Sequence, residues 1–169
     1  DTSCGTGHML EKFADDQAGG RQLLGVDLSP RMVAIARRRL GAAATVEQGD
    51  MGGLTHIPDA SCAAVLSFFA LHHVDAEGVN RCFAEWYRVL ERGGQVLVGA
   101  WEGDGPIDYG DAGDIVAMRY RADEFAEAAT SAGFRIDSCL VRPVEEMEMD
   151  AVYLGDPVVQ GHFSVERQA

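Results

Sequence analysis

Four short clusters in this 169-residue chain carry residue types that can handle a polar organic ligand. The opening "DTSCGTGHML" (1–10) sets Gly5 and Gly7 in a tight turn ahead of a helix. Glycine lets backbone approach a ligand closely, and free N–H groups at a helix start suit an anionic part of it. Asp27 ends an apolar run 20 residues after Gly7, an offset at which a carboxylate can take two ribose hydroxyls. Gly49-Asp50-Met51 offers a carboxylate that can accept from an exocyclic amine and a thioether that can lie on a purine face. In "SFFALHH" (67–73) a strand opens into His72 and His73. Histidine titrates near neutrality, so either can serve as a general base toward a group that must lose a proton.

The elements between these clusters must deliver them to one edge of a sheet. The run 23–27 reads as a buried strand, and 29–40 as a helix with Ser29 as N-cap, Pro30 in the first turn and Gly41 as its stop. Strands are expected at 44–50 and, strongly apolar, at 62–74. Residues 77–91 repeat apolar positions at helical spacing (Val79, Phe83, Trp86, Val89, Leu90), Gly93-Gly94 end that helix, and 95–101 is the next strand. A helix at 122–134 follows, then strands at 135–141 and 151–154. Alternation of this kind predicts an α/β fold: a doubly wound, mostly parallel sheet, with an antiparallel hairpin at its C-terminal edge. In such sheets ligands bind beyond the carboxyl ends of the strands.

Taken singly, each cluster has an ordinary explanation. Tight turns need glycine, Asp27 can cap the helix beginning at Pro30, and the two histidines can be loop residues. Four of them in order on consecutive strand ends form a binding constellation. That constellation resembles the class I S-adenosylmethionine-dependent methyltransferases of the small-molecule, type 11-like group, and the likeness covers almost the whole chain. "DTSCGTGH" resembles their first motif, "GVDLSPRMVAIARRR" the second, "GDM" the third, "VLSFFALHHV" the fourth and "ERGGQVLV" the fifth, with "ADEFAEAATSAGF" their late helix.

The resemblance implies a Rossmann-like fold and S-adenosylmethionine as cofactor. It places Asp1, Ser3, Cys4, Gly5 and Gly7 at the cofactor, with the two glycines along its methionine and ribose part. Asp27 is implied to hold the ribose hydroxyls, Leu28 to flank the adenine and Met32 to join them from the second motif. Asp50 takes the adenine amino group with Met51 beside the ring, and Ser67 and Phe68 lie near the amino acid portion. Ser3 stands where the family has its first glycine, so the turn must accommodate a side chain there. The first residue is Asp rather than Met, and the family's N-terminal helices and most of its first strand are expected before Asp1. The chain is otherwise read as a single domain, 1–169.

Charge narrows the partners. Asp and Glu number 27 against 14 Lys and Arg, a net charge of −13, and the only basic run is Arg37, Arg38 and Arg39. That excludes a nucleic-acid binder, which needs a basic face. Acids crowd the base-free stretches 102–114 and 145–150, which can attract a cationic or amine-bearing acceptor or simply be solvated surface. Trp101, Asp108 and Tyr109 also follow the fifth-motif strand and can touch a substrate. Cys4, Cys62, Cys82 and Cys139 show no metal-ligand spacing, so no metal is expected and the thiols fit a reducing cytoplasm. No apolar run is long enough for a membrane span. Two rivals share features: a nicotinamide-dependent dehydrogenase, and a non-catalytic cofactor-binding or scaffold module of the same fold. The dehydrogenase fingerprint G-x-G-x-x-G needs a third glycine, yet His8, Met9 and Leu10 follow Gly7.

Overall fold

The computed structural model describes residues 1–17, 20–107, 117–144, 149–154 and 166–167. The chain divides into two compact units, Asp1–Thr55 and His56–Ala169. In the first, α1 (His8–Gln17), β1 (Leu24–Asp27), α2 (Pro30–Leu40) and β2 (Thr45–Gln48) follow in order. β1 and β2 are parallel, with Asp27 opposite Gln48, so their carboxyl ends share an edge. α2 begins and ends where its sequence says. The Ser29 hydroxyl accepts from the Met32 N–H, Pro30 opens the helix, and the Gly41 N–H closes it on the Arg37 carbonyl. The opening turn runs along β1: the Val26 N–H donates to the Asp1 carbonyl at 2.8 Å and the Cys4 N–H to the Val26 carbonyl at 2.9 Å. Cys4, Leu10, Val33, Ala36, Leu40 and Val46 close the core of this unit.

The second unit contains β3 (Cys62–Phe68), a 3-10 turn (Leu71–His73), α3 (Ala76–Val89), β4 (Leu90–Trp101) and α4 (Ala122–Ser131). After them come β5 (Phe134–Arg135), β6 (Cys139–Val144), β7 (Met149–Leu154) and β8 (Glu166–Arg167). β3 and β4 are parallel, with Phe68 opposite Gly99. β7 joins β4 antiparallel, and β6 pairs with β7 antiparallel, which is the C-terminal hairpin expected from the sequence. α3 starts on Asp75, whose carboxylate accepts from the Gly78 N–H at 2.8 Å. Its buried face carries Val79, Cys82, Phe83, Trp86 and Val89. Phe83 lies at the centre, edge-on to Trp86, Phe125 and Phe134 at centroid distances of 5.2, 5.6 and 6.1 Å. Such pairs add about 0.5–1.5 kcal/mol each beyond simple burial.

Several expected boundaries move. The strand read at 62–74 stops at Phe68, because Phe69 turns left-handed (φ +50) and a 3-10 turn follows. The helix read at 77–91 stops at Val89, since Leu90 is already extended, and Gly93-Gly94 fall inside β4 instead of ending the helix. The helix read at 122–134 ends at Ser131, and the strand read at 135–141 splits into β5 and β6. Of the acidic stretch 102–114, residues 102–107 turn back on Met118 and Tyr120 through short bridges. Asp108, Tyr109 and the rest of that stretch, like residues 145–148, lie outside the described residues. Among the described residues no helix is long and apolar enough to cross a membrane.

Candidate functional site

The carboxyl edge of β1 and β2 is organised by one carboxylate. Asp27 Oδ2 accepts from the Gly5 N–H at 2.8 Å, and Oδ1 accepts from the Ser29 N–H at 2.9 Å. Each oxygen keeps a further lone pair, so the carboxylate can fix the turn and still accept from a ligand. Gly5 is left-handed (φ +53), and a Cβ added there would meet no atom within 4 Å, so space is open beside the turn. Gly7 differs: it is buried at φ +84, and a Cβ would press on Leu40 at 3.0 Å and Ala36 at 3.3 Å. Its absent side chain therefore serves helix packing at this turn. Cys4 is likewise turned inward. Its thiol packs in the core, and burial together with nearby Asp27 pushes its pKa up. Only its backbone belongs to the turn.

The side chain at Ser3 is accommodated. Its hydroxyl reaches the Met51 sulfur at 3.9 Å, and its N–H donates to the Asp1 carboxylate at 3.3 Å. The first and third motifs therefore meet at this edge. Asp50 is exposed, with Oδ1 accepting from the Gly52 N–H at 2.8 Å. Beyond β1, Leu28 is 70% exposed and Met32 37% exposed, apolar side chains that a purine would cover. The sequence-derived residues of the first unit thus gather at one edge, with Cys4 and Gly7 supporting it from within.

In the second unit, Ser67 is fully buried and Phe68 half-buried at the end of β3. His72 is buried, and its Nδ1 has no hydrogen-bond partner among the described residues. Burial, with a smaller contribution from His73, lowers its pKa to about 4. The expectation of a histidine poised near neutrality fails here, because desolvation penalises the imidazolium. His73 is exposed, with its ring centroid 3.9 Å from that of His72. The loop is clamped from behind: the Met118 N–H donates to the His72 carbonyl at 2.7 Å, and the Tyr120 hydroxyl donates to the Val74 carbonyl.

Two residues here escaped the sequence reading. Tyr120 lies in a segment with no periodicity to mark it. Phe69 sits inside a motif that was noticed, but residue type does not announce a left-handed phenylalanine. Its ring lies 4.6 Å from Trp101, itself only 9% exposed. A groove of about 560 Å³ also runs between α3 and α4, lined by Val79, Asn80, Tyr120 and Phe125 among others; Asp104 of the acidic stretch reaches it, and none of the candidate cofactor or catalytic residues does.

A family model described as a methyltransferase domain matches residues 1–94, more than half of the chain. The chain belongs to the class I S-adenosylmethionine-dependent methyltransferase family. An uncharacterised methyltransferase of Bacillus cytotoxicus is 29% identical over 93 residues, which is 55% of this chain and 42% of the relative. This methyltransferase chain spans about half the length of the curated relatives it matches. An S-adenosylmethionine-dependent methyltransferase from Mesorhizobium loti superposes with a TM-score of 0.77 at 23% identity, over 99% of this chain and 89% of that one. The 1,6-didemethyltoxoflavin-N1-methyltransferase of Burkholderia thailandensis, solved with 1,6-didemethyltoxoflavin and S-adenosylhomocysteine, gives 0.77 at 19% identity over 100% of this chain and 70% of that one. At these identities the superpositions establish the Rossmann-like α/β fold. S-adenosylmethionine is the cofactor of the family, and the edge of the methyltransferase's first unit fits it. Space beside Gly5, a doubly anchored Asp27 and exposed Leu28 and Met32 suit a ribose and a purine.

Proposed function

We propose that this chain transfers the methyl group of S-adenosylmethionine to an O, N, C or S atom of a small-molecule acceptor, with residues 1–169 serving as one cofactor-binding domain. The observation that carries the reading is the hydrogen bond from Gly5 to Asp27, which joins the first-motif turn to the second-motif acid. Asp27 accepts from the ribose hydroxyls through its remaining lone pairs. Asp50 accepts from the adenine amino group, and Leu28, Met32 and Met51 cover the purine. When bound, the cofactor supplies an electrophilic methyl on its sulfonium. The chain's own contribution is alignment and the handling of a proton. Alignment alone is a large term, since effective molarities of well-oriented pairs reach ~10⁵ M or more.

His72 is the base in this scheme, with His73 the alternative. Its pKa of about 4 keeps it neutral in ordinary buffers but makes it a weak base, so its part is to accept a hydrogen bond from an acceptor O–H or N–H and orient it, not to hold a full proton. All four cysteines are free thiols, which supports a reducing cytoplasm. The test is incubation with S-adenosylmethionine labelled on its methyl together with fractionated small molecules. The reading predicts label in an acceptor and S-adenosylhomocysteine as co-product. Cofactor binding with no labelled acceptor across a broad screen would instead mean a non-catalytic module.

A further inference from the structure

We propose that the groove between α3 and α4 is a second small-molecule site, made of residues other than those of the cofactor edge, and that it takes an extended zwitterion. Such a ligand carries a carboxylate at one end, an ammonium at the other and a short apolar body between. The inference stands apart from the methyl-transfer reading and does not depend on it.

The groove measures about 560 Å³, within the roughly 300–1,000 Å³ of small-ligand sites. Its apolar lining is mostly small: Val79 and Ala84 from α3, Ala128 from α4 and Ala132 at the end of α4. Arg119 and Glu127, of opposite charge, line the same groove. Neither side chain makes an ion pair or hydrogen bond among the described residues, with the other or with any neighbour. In a chain with 27 acids against 14 bases, a cation without an acid stands out. The nearby acids go to Arg121 instead: Asp123 at 3.0 Å, and Asp104 and Glu124 at 3.9 Å each.

Arg119 is placed by its backbone and by packing. Its N–H donates to the Gly105 carbonyl at 2.8 Å, and its stem lies against Gly103, where an added Cβ would meet Cδ at 3.4 Å. Nε is enclosed without a partner among the described residues. The terminal nitrogens are neither enclosed nor bonded, so this half-buried side chain offers them to an occupant. Such a planar pair of N–H donors suits a carboxylate. Asp104 and Glu124 also line the groove, so a carboxylate lacking a compensating ammonium is disfavoured there.

The separation of the charges sets the shape of the ligand. Arg121 caps α4, and Glu127 stands about 9 Å further along the axis at roughly 1.5 Å per residue. Arg119 precedes the cap, so an occupant must hold its two charges apart, which an α-amino acid does not. The groove also backs on the histidine turn. Met118 and Tyr120 line it, and they donate to the His72 and Val74 carbonyls. An occupant therefore bears on the placement of His72.

The test is calorimetric titration of the full chain with 6-aminohexanoate, with and without excess S-adenosylhomocysteine. Hexanoate and hexylamine each keep the body and one charge, and leucine puts both charges on one carbon. Saturable binding of 6-aminohexanoate is expected in both conditions, with the other three at least roughly tenfold weaker. Arg119→Gln and Glu127→Gln should each weaken it by a similar factor. Glu127 is exposed and unbonded, so its variant keeps the test alive if Arg119→Gln misfolds. The proton resonances of the His72 ring, assigned with His72→Gln, should shift with the same midpoint. Equal binding of hexylamine or hexanoate, or binding unchanged in Glu127→Gln, overturns the proposal. So does the lack of any saturable binding, or binding that leaves the His72 ring unmoved. Binding abolished by S-adenosylhomocysteine would put the probe at the cofactor edge and overturn it as well.

Discussion

The Gly5 N–H donates to Asp27 Oδ2 at 2.8 Å, across 22 residues of sequence, while the Ser29 N–H holds the other oxygen at 2.9 Å. One carboxylate thus fixes the turn before α1 and the start of α2. Replacement Asp27→Asn exchanges an acceptor oxygen for an N–H₂ donor that faces another donor. Charge-assisted hydrogen bonds contribute about 1.5–3 kcal/mol. S-adenosylhomocysteine binding by Asp27→Asn is expected to weaken at least roughly tenfold, about 1.4 kcal/mol. Calorimetric titration of the variant, with its circular dichroism compared to wild type, checks this.

Gly5 and Gly7 should part company on substitution. Both are left-handed, but only Gly7 lacks room, with Leu40 at 3.0 Å from an added Cβ. Gly5→Ala should cost about 1 kcal/mol of stability through its φ alone, and should lose cofactor affinity because the methyl occupies the open space. Gly7→Ala adds a steric clash to the strained φ, for ~1–3 kcal/mol, with a smaller change in affinity per folded molecule. Thermal unfolding and titration on both variants separate the two roles.

His72 gives a pH signature. Its pKa in the folded chain is about 4, below the unfolded value near 6.5. Between those values the unfolded chain takes up a proton that the folded chain refuses, so stability falls as pH drops through this window. The slope from this one group is at most about 1.4 kcal/mol per pH unit, and nothing is lost from it above the window. In His72→Gln that component disappears. Urea unfolding at about pH 7 and about pH 5 should show a smaller acid loss in the variant than in wild type. Equal losses would mean that His72 is not held neutral. For turnover, the acid limb assigned to His72 should lie near its folded value, not near neutrality.

Much of this was legible in the sequence, for identifiable reasons. Ser29, Pro30 and Gly41 bracket α2 by local chemistry, and the structure uses all three. Strand-end residues such as Asp27 and Asp50 were readable because period and position both pointed to them. What the sequence hid depends on contacts far along the chain. Gly7 and Gly5 look alike until Leu40 packs against one of them. His72 looks like a neutral-pH base until burial lowers its pKa. Phe69 looks like the next strand residue until Gly99 and Trp101 hold it left-handed.

Phe83 is where the core of the second unit should fail first. It is fully buried and edge-on to Trp86, Phe125 and Phe134. Phe83→Ala is expected to lose about 3–5 kcal/mol, through lost burial and the cavity left behind. Denaturant unfolding measures it. A loss under about 1 kcal/mol would show that neighbouring side chains collapse into the space.

Direct calorimetric titration of the chain with S-adenosylmethionine, S-adenosylhomocysteine and NAD tests the central claim most closely. The account predicts a single saturable site for S-adenosylmethionine and S-adenosylhomocysteine, weakened in Asp27→Asn, and no heat of binding from NAD. Binding of NAD with none of S-adenosylmethionine would contradict it.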